Sequence, residues 1–179
     1  VITRRRKEGL GSAYLEGFSA AVATGTDYVV QMDADLSHSP EHIPGFLDEL
    51  KQADVVVGSR YVAGGGVDSN WGLKRRMLSY YANLGIRLIT GVSVKDPTSG
   101  FKGFRARAVK LICRNRFRCS GFGFQVEVAG LCQRSGLHVA QHPIIFVERM
   151  HGSSKMSLRI VLEALWCLFP MRFRKNVHV

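Results

Sequence analysis

The sequence of 179 residues predicts one α/β domain with a mostly parallel sheet flanked by helices. Short apolar runs rich in β-branched residues alternate along the chain with segments whose apolar residues recur at helical spacing. Strands that alternate with helices in this way typically form parallel sheets. The composition agrees, because 46% hydrophobic and 22% charged residues are ordinary for a globular domain.

The first helix and strand are predicted from the apolar pattern near the N-terminus. Residues 12–24 place Phe18 and other apolar side chains on one face of a helix, and Gly25 can end it. Residues 28–32 form a short run with two valines, which indicates a buried strand that ends at Asp33.

A second helix and strand follow. Residues 41–51 are amphipathic, Ser39 can cap the helix, and Pro40 suits its first position. Residues 54–59 contain three consecutive valines and predict a second buried strand.

The middle of the chain opens with three consecutive glycines at 64–66, which predict a flexible loop. A helix with a basic first turn is predicted over 74–90. A turn over 96–100 and a strand over 101–105 complete this part.

The last third predicts helices over 106–114 and 124–135 and a strand over 139–148. Pro143 favours an edge position or a strand start, because proline cannot donate to a sheet ladder. A polar loop then leads to an amphipathic basic helix over 158–168.

The formal net charge of +11 indicates an anionic partner: nucleic acid, anionic lipid or a phosphorylated substrate. The sequence has no helix-turn-helix, RNA-binding or zinc-finger pattern, and its basic residues are not interleaved with aromatic ones, so nucleic acid is disfavoured. The cysteines form no Cys-x-x-Cys pair, which predicts reduced, mostly buried thiols. No apolar run is long enough to predict a membrane-spanning helix.

The most informative unit is Asp33-Ala34-Asp35, at the end of the first predicted strand. In an open parallel sheet, ligands bind beyond the carboxyl ends of the strands. Two carboxylates one residue apart can hold Mg²⁺ or Mn²⁺, which commonly link protein carboxylates to substrate phosphates. A solvated acidic turn that caps the next helix is the alternative interpretation.

Several basic residues also stand close to the ends of predicted strands or at the start of a helix. Arg60 follows the second predicted strand, Lys74 and Arg75 open a helix, and Arg149 and Lys155 flank the loop after the last predicted strand. If these side chains lie at the same edge of the sheet as the two aspartates, the site suits a substrate with two phosphate groups or two phosphorylated substrates. The alternative is that these side chains are simply solvated surface.

Six motifs then occur in order at matching spacing, and the chain resembles the later part of a family 2 glycosyltransferase of the dolichol-phosphate (polyprenol-phosphate) mannose synthase type. The motifs are Asp33-Ala34-Asp35-Leu36-Ser37-His38, Gly58-Ser59-Arg60-Tyr61, Leu73-Lys74-Arg75, Asp96-Pro97-Thr98-Ser99-Gly100-Phe101, Phe124-Gln125-Val126-Glu127 and Arg149-x-x-Gly152-x-Ser154-Lys155.

The resemblance implies a GT-A fold and transfer of mannose, with inversion, from GDP-mannose to a polyprenyl (dolichyl) phosphate. It implies that Asp33 and Asp35 hold Mg²⁺ or Mn²⁺ against the donor diphosphate. The residues it implies for contact with substrate phosphates are Arg60, Lys74, Arg75, Arg149 and Lys155. Those it implies for the sugar and acceptor site are Asp96, Ser99 and Gln125.

Under the same resemblance the catalytic residues are Asp35, Arg60, Asp96 and Arg149. The nucleophile would be a phosphate monoester, whose second pKa is about 6, so a strong general base is not required. Asp96 is the best candidate if the reaction uses one.

The ends of the chain differ from the family pattern. Members normally begin with a strand and a Pro-Thr-x-Asn-Glu type loop, whereas residues 7–13 match a later segment. The first strand–helix units and the nucleotide-base pocket are therefore expected to be missing before Val1. Residues 1–157 are predicted to form a partial catalytic domain, and 158–179 a helix and tail that contact a membrane or pack on the core.

The expected location is peripheral, on the cytoplasmic side of a membrane. Alternatives are a relative that uses UDP-glucose or an aminoarabinose donor, and an inactive glycosyltransferase-like scaffold. His38 and His151 lack metal-ligand spacing and are expected in solvent-facing or loop positions.

Overall fold

The computed structural model describes residues 1–6, 9–119, 121–147 and 168–173. The helices are α1 (Leu10–Ala23), α2 (Ile43–Glu49), α3 (Leu73–Thr90), α4 (Ala106–Arg114) and α5 (Phe122–Arg134), with short 3₁₀ helices at Pro40–His42 and Phe169–Phe173. The strands are β1 (Tyr28–Gln31), β2 (Val55–Ser59), β3 (Gly66–Val67), β4 (Lys102–Arg105), β5 (Val139–Pro143) and β6 (Ile145–Phe146).

Each element predicted before residue 139 is present within a few residues of its expected bounds. The helix predicted over 41–51 begins as a 3₁₀ turn at Pro40, where Ser39 Oγ accepts a hydrogen bond from the Glu41 amide at 3.3 Å. The strand predicted over 139–148 is divided after Pro143 into β5 and β6. The predicted helix over 158–168 lies, except for its last residue, outside the described residues.

The larger sheet has the strand order β1-β4-β2-β5. Three of its four strands run in the same direction, as predicted. The exception is β4, which lies between β1 and β2 and runs antiparallel to both, so only the β2–β5 pairing is parallel. Pro143 ends β5, which occupies an edge of this sheet as its proline predicts.

The core lies on both faces of the larger sheet, because successive residues of β2 point to opposite sides. Val55 and Val57 pack into one buried cluster with Phe18, Phe104, Ile112 and Phe124, which come from α1, β4, α4 and α5. Val56 packs into a second cluster with Phe46, Leu50, Phe101 and Ile144. Among the described residues no helix is long and apolar enough to cross a membrane.

The reversed direction of β4 determines what gathers at one edge of the sheet. Lys102, the first residue of β4, is in register with Gln31 at the end of β1 and with Val57 near the end of β2. The turn at 96–100 that leads into β4 therefore lies beside the segments that leave β1 and β2.

Candidate active site

Arg60 and Asp96 form an ion pair at this edge. Arg60 follows β2, and its Nε lies 2.7 Å from Asp96 Oδ2 while its Nη2 lies 2.8 Å from Oδ1. The Arg60 amide also donates to Asp96 Oδ2 at 3.1 Å, and Nη2 donates to Thr98 Oγ1 at 3.2 Å. Two parallel bonds of this kind fix the plane of the guanidinium as well as its charge.

Burial and pairing act in opposite directions on this pair. The Asp96 side chain is fully buried, and that of Arg60 is 11% exposed. Burial alone would raise the pKa of Asp96, but the adjacent Arg60 guanidinium holds that pKa below its usual range. Burial likewise opposes the charge on Arg60, and Asp96 outweighs it, so the pKa of Arg60 is raised. Both groups are ionised at neutral pH.

The Asp33-Ala34-Asp35 motif leaves β1 in a tight loop. Tyr14 from α1 donates its hydroxyl to Asp33 Oδ1 at 3.1 Å. Burial first, and then the charge of Asp33, raise the pKa of Tyr14, so its proton stays on the phenol. Asp35 Oδ1 accepts hydrogen bonds from the amide and the hydroxyl of Ser37. Leu36, between them, has a left-handed φ of 63°.

His38 lies in a loop, one of the two positions predicted for it, but its side chain is buried and does not face solvent. The Asp33 amide donates to His38 Nδ1 at 3.2 Å, and the imidazole packs against Phe101 and Phe146. Burial lowers the pKa of His38, although the neighbouring carboxylates of Asp33 and Asp35 act to raise it. A neutral imidazole supports the loop from the core side.

The 96–100 turn contacts the carboxylate of Asp33 through Gly100. A Cβ atom placed on Gly100 would lie 2.8 Å from Asp33 Oδ2 and 3.0 Å from Oδ1. Any side chain at this position would therefore displace the carboxylate. Glycine lets the turn that holds Asp96 lie directly against Asp33.

The donor set of this loop fits a hard divalent cation that arrives with its substrate. In the described part of the chain, no group of three or more His, Cys, Asp and Glu side chains could hold a metal by itself. Mg²⁺ is commonly bound through one or two carboxylates plus substrate phosphates. Asp33 and Asp35 supply carboxylates at the carboxyl end of β1, and Asp33 is about one-third exposed.

The predicted basic residues at the start of α3 connect to this edge through aromatic side chains. Arg75 lies over the Trp71 ring at 3.8 Å from its centroid, and Lys74 is exposed. Trp71 packs edge-on against Phe146, whose ring lies 5.5 Å from the Arg60 guanidinium carbon. The structure therefore places Arg75 two aromatic rings away from Arg60.

Ser99 and Gln125 lie below the surface of the site rather than in it. Ser99 Oγ accepts from the Phe101 amide at 3.2 Å, and Gln125 is 1% exposed on α5. Gln125 Oε1 accepts from Lys102 Nζ at 2.7 Å. The remaining predicted residues, Arg149 and Lys155, lie outside the described residues, as does His151.

The residues of this region that were not among the predicted site residues include Tyr14, His38, Trp71, Lys102 and Phe146. Lys102 is the least expected, because a lysine side chain is rarely fully buried. It is the second residue of the strand predicted over 101–105, and that position by itself does not predict its burial.

The fold is similar to crystal structures of glucosyl-3-phosphoglycerate synthase from Mycobacterium tuberculosis. The complex with phosphoglyceric acid gives a TM-score of 0.58 at 17% identity, covering 96% of this chain and 55% of that chain. The complex with Mn²⁺, UDP-glucose and phosphoglyceric acid gives a TM-score of 0.58 at 19% identity, covering 97% of this chain and 55% of that chain. The fold is therefore of the GT-A class, as expected.

Two curated relatives cover most of this chain. The undecaprenyl-phosphate mannosyltransferase of Micrococcus luteus is 41% identical over 165 residues, which are 92% of this chain and 68% of that protein. The polyprenol monophosphomannose synthase of Mycolicibacterium smegmatis is 39% identical over 167 residues, 93% of this chain and 63% of that protein. The sequence model of glycosyl transferase family 2 matches residues 1–112, and the chain belongs to this family.

Proposed function

We propose that the protein carrying this chain transfers mannose from GDP-mannose to the phosphate of a polyprenol. The observation that supports this most directly is the meeting of Asp33, Gly100 and the Arg60–Asp96 pair at one edge of the sheet. The carboxylates suit a cation on the donor diphosphate, and the arginine suits a phosphate. The polyprenyl phosphate and the mannose are taken from the names of the two curated relatives.

The proposed reaction is a displacement at the anomeric carbon. A phosphate oxygen of the acceptor forms a bond to that carbon, while the bond from the carbon to the diphosphate breaks. GDP leaves with the electron pair, and the configuration inverts. Because a phosphate monoester has a second pKa of about 6, the nucleophile is largely ionised at pH 7 and no strong base has to remove a proton.

Asp96 is therefore assigned to hold Arg60 rather than to act as a base. Its carboxylate is fully buried and accepts three hydrogen bonds from Arg60. Arg60 in turn would bind a phosphate oxygen of donor or acceptor. Arg75 and Lys74, and Arg149 and Lys155, remain proposals for the other phosphate contacts.

Mg²⁺ or Mn²⁺ would offset the negative charge that develops on the leaving diphosphate. Asp33 and Asp35 would hold the ion. Tyr14 and Ser37 donate hydrogen bonds to these two carboxylates and so orient them for this role. Such oriented supporting bonds are typical of carboxylates that bind metals.

We also propose that α3 contacts the membrane in which a polyprenyl phosphate resides. Leu73, Met77, Tyr81 and Leu88 recur at spacings of four, four and seven residues, so they share one helix face, and all are exposed. Leu73 and Leu88 are 72% and 67% exposed. With the basic first turn of α3 and a net charge of +11, this face suits an anionic lipid surface.

The test is a transfer assay with purified protein, Mn²⁺ or Mg²⁺ and a polyprenyl phosphate. Labelled GDP-mannose, UDP-glucose and UDP-N-acetylglucosamine are supplied in parallel, and label entering the organic phase is counted. We expect label from GDP-mannose alone and its loss with EDTA. Asp33→Asn and Asp35→Asn should abolish transfer, whereas Asp48→Asn, the same change on an exposed residue of α2, should not.

Each other outcome rejects a different part of the proposal. Label from UDP-glucose would reject mannose and retain the reaction. Transfer that survives EDTA and both Asp→Asn changes would reject the metal site. No label from any donor, with a protein that is folded, would favour a catalytically silent relative.

A further inference from the structure

Lys102 is a fully buried amine beneath the candidate active site. Its side chain is 0% exposed, at the first residue of β4 in the centre of the sheet. Among the described residues no carboxylate lies close enough to form an ion pair with it. Burying an amine without such a partner costs folding free energy. An apolar side chain of similar length would fill this space at a lower free-energy cost.

The Lys102 amine donates hydrogen bonds to two acceptors that belong to different elements of the fold. One is the main-chain carbonyl of Ser99, and the other is Gln125 Oε1, at 2.7 Å, on α5. Lys102 therefore connects the 96–100 turn to the first part of α5. Burial lowers the pKa of this amine to about 7, with Asp96 acting in the opposite direction.

A second buried side chain holds the same turn from the neighbouring strand. Gln31, the register partner of Lys102 on β1, donates from Nε2 to the carbonyl of Gly100 at 2.9 Å. Two consecutive carbonyls of the turn thus accept hydrogen bonds from two adjacent buried side chains. The turn is fixed from below by Lys102 and Gln31, and from the side by Arg60.

The position of this turn matters because both of its ends contact site residues. Asp96, at one end, binds Arg60, and Gly100, at the other, touches the Asp33 carboxylate. Because the Gly100 backbone lies against Asp33, the position of the Ser99–Gly100 backbone determines the room left for the Asp33 carboxylate.

We infer that Lys102 is a positioning residue, which sets the 96–100 turn against the Asp33 carboxylate and is itself oriented by Gln125. It does not touch substrate, since it is fully buried. In the reaction, which rests on the proposed function, its contribution is to hold the metal-binding carboxylate and Arg60 at a fixed separation.

The test compares Lys102→Met with Val57→Ala. Val57 is the register partner of Lys102 on β2, is equally buried, and has an apolar side chain that cannot donate a hydrogen bond to the carbonyls of the turn. Val57→Ala leaves a cavity and lowers stability, whereas Lys102→Met replaces a buried amine with an apolar side chain. Only Lys102→Met removes the hydrogen bond to the Ser99 carbonyl and so releases the turn. Hydrogen exchange is measured for peptides that contain the Ser99 and Phe101 amides, which donate to Asp96 O and Ser99 Oγ.

We expect exchange of these amides to accelerate about ten-fold or more in Lys102→Met at matched global stability, and not in Val57→Ala. In the transfer assay kcat should fall roughly 10–100-fold, the usual range for residues that orient a metal ligand. The Mn²⁺ concentration for half-maximal binding, followed by the electron paramagnetic resonance of free Mn²⁺, should rise in the same variant. Equal exchange in the two variants would overturn the inference.

Gln125→Leu provides a second variant if Lys102→Met does not fold, because it removes only the acceptor that orients the amine. It should show the same pattern to a smaller degree, and unchanged exchange would count against the inference. Failure of the wild-type protein to transfer any sugar would reject the proposed function alone. The exchange comparison would still decide the role of Lys102.

Discussion

Gly100 lies against the carboxylate of Asp33, so closely that a Cβ atom on Gly100 would be only 2.8 Å from Asp33 Oδ2. The two residues are far apart in the sequence and meet because β4 enters the sheet beside β1. The contact joins the acidic loop to the turn that carries Asp96.

Gly100→Ala should reduce transfer roughly 10–100-fold, because the added Cβ displaces a residue proposed to bind the metal. The φ of Gly100 is not in the left-handed region, so alanine adds no backbone strain there. The measurement is the transfer rate as a function of Mn²⁺ concentration, with thermal unfolding alongside. Gly17→Ala is the matched control, since its Cβ meets nothing within 4 Å on α1, and activity equal to that of this control would contradict the contact.

Asp96→Ala should destabilise the protein by about 3–5 kcal/mol, because it leaves the largely buried Arg60 without its partner. Replacing both residues, as Arg60→Met with Asp96→Leu, should destabilise it by less than Asp96→Ala alone. Denaturant unfolding of the two proteins measures this difference. The exposed Lys51–Asp48 pair serves as the control, and Asp48→Ala should change stability little, because solvent screens such a pair. A double variant less stable than Asp96→Ala would show that the pair is not compensating a buried charge.

The stability of the wild-type protein should rise between pH 7 and pH 9 through Lys102. Its pKa is lowered by burial to about 7 in the folded state, from 10.5, so the unfolded chain binds more protons in this interval. The stability gained when Lys102 loses its proton is complete above its pKa in the unfolded chain, 10.5, and is lost as the pH falls towards 7. It amounts to at most about 1.4 kcal/mol per pH unit.

Urea unfolding of wild type and Lys102→Met across this interval isolates the contribution of the lysine. The titratable groups whose charges act on Lys102 are Asp96, Cys132, Asp33 and Arg60. Burial raises the pKa of Cys132 to about 12, so this thiol remains protonated below pH 9. The difference in unfolding free energy between the two proteins should therefore change with pH. A constant difference would show that Lys102 does not titrate in this range.

Leu73→Glu combined with Leu88→Glu should weaken binding to vesicles that contain an anionic phospholipid, because both changes place a negative charge on the exposed face of α3. Co-sedimentation with phosphatidylglycerol vesicles measures the effect, and we expect at least a ten-fold loss. Leu47→Glu, on α2, is the control for an added charge at a partly exposed leucine. Equal binding by wild type and the double variant would reject this face of α3 as the contact.

The strands and the edge of the sheet could be predicted because their signals are local. Three consecutive valines identify β2, and a strand end followed by Asp33 or Arg60 identifies polar residues at one edge. The reversed direction of β4 was not predictable in the same way, since a four-residue strand carries no sign of its direction. Only the paired register shows that the 96–100 turn belongs to that edge.

The supporting side chains could not be predicted, because their residue types usually have other roles. Lysine is normally exposed, so the burial of Lys102 has no signal in the sequence. The burial of His38 against Phe101 and Phe146 depends on residues more than sixty positions away. The predicted roles of Arg149 and Lys155 stay predictions, as they lie outside the described residues.

The strand order also determines when this site can come together during synthesis. β1 and β2 leave the ribosome before β4, yet they do not pair with each other, since β4 lies between them. About forty residues separate the end of β2 from β4, and closing a connection of this length delays pairing. Until β4 has emerged, the facing edges of β1 and β2 have no partner strand, and unpaired edges of this kind invite association with other chains. The facing edges of β1 and β2 therefore stay open to such association until β4, which ends at Arg105, has emerged.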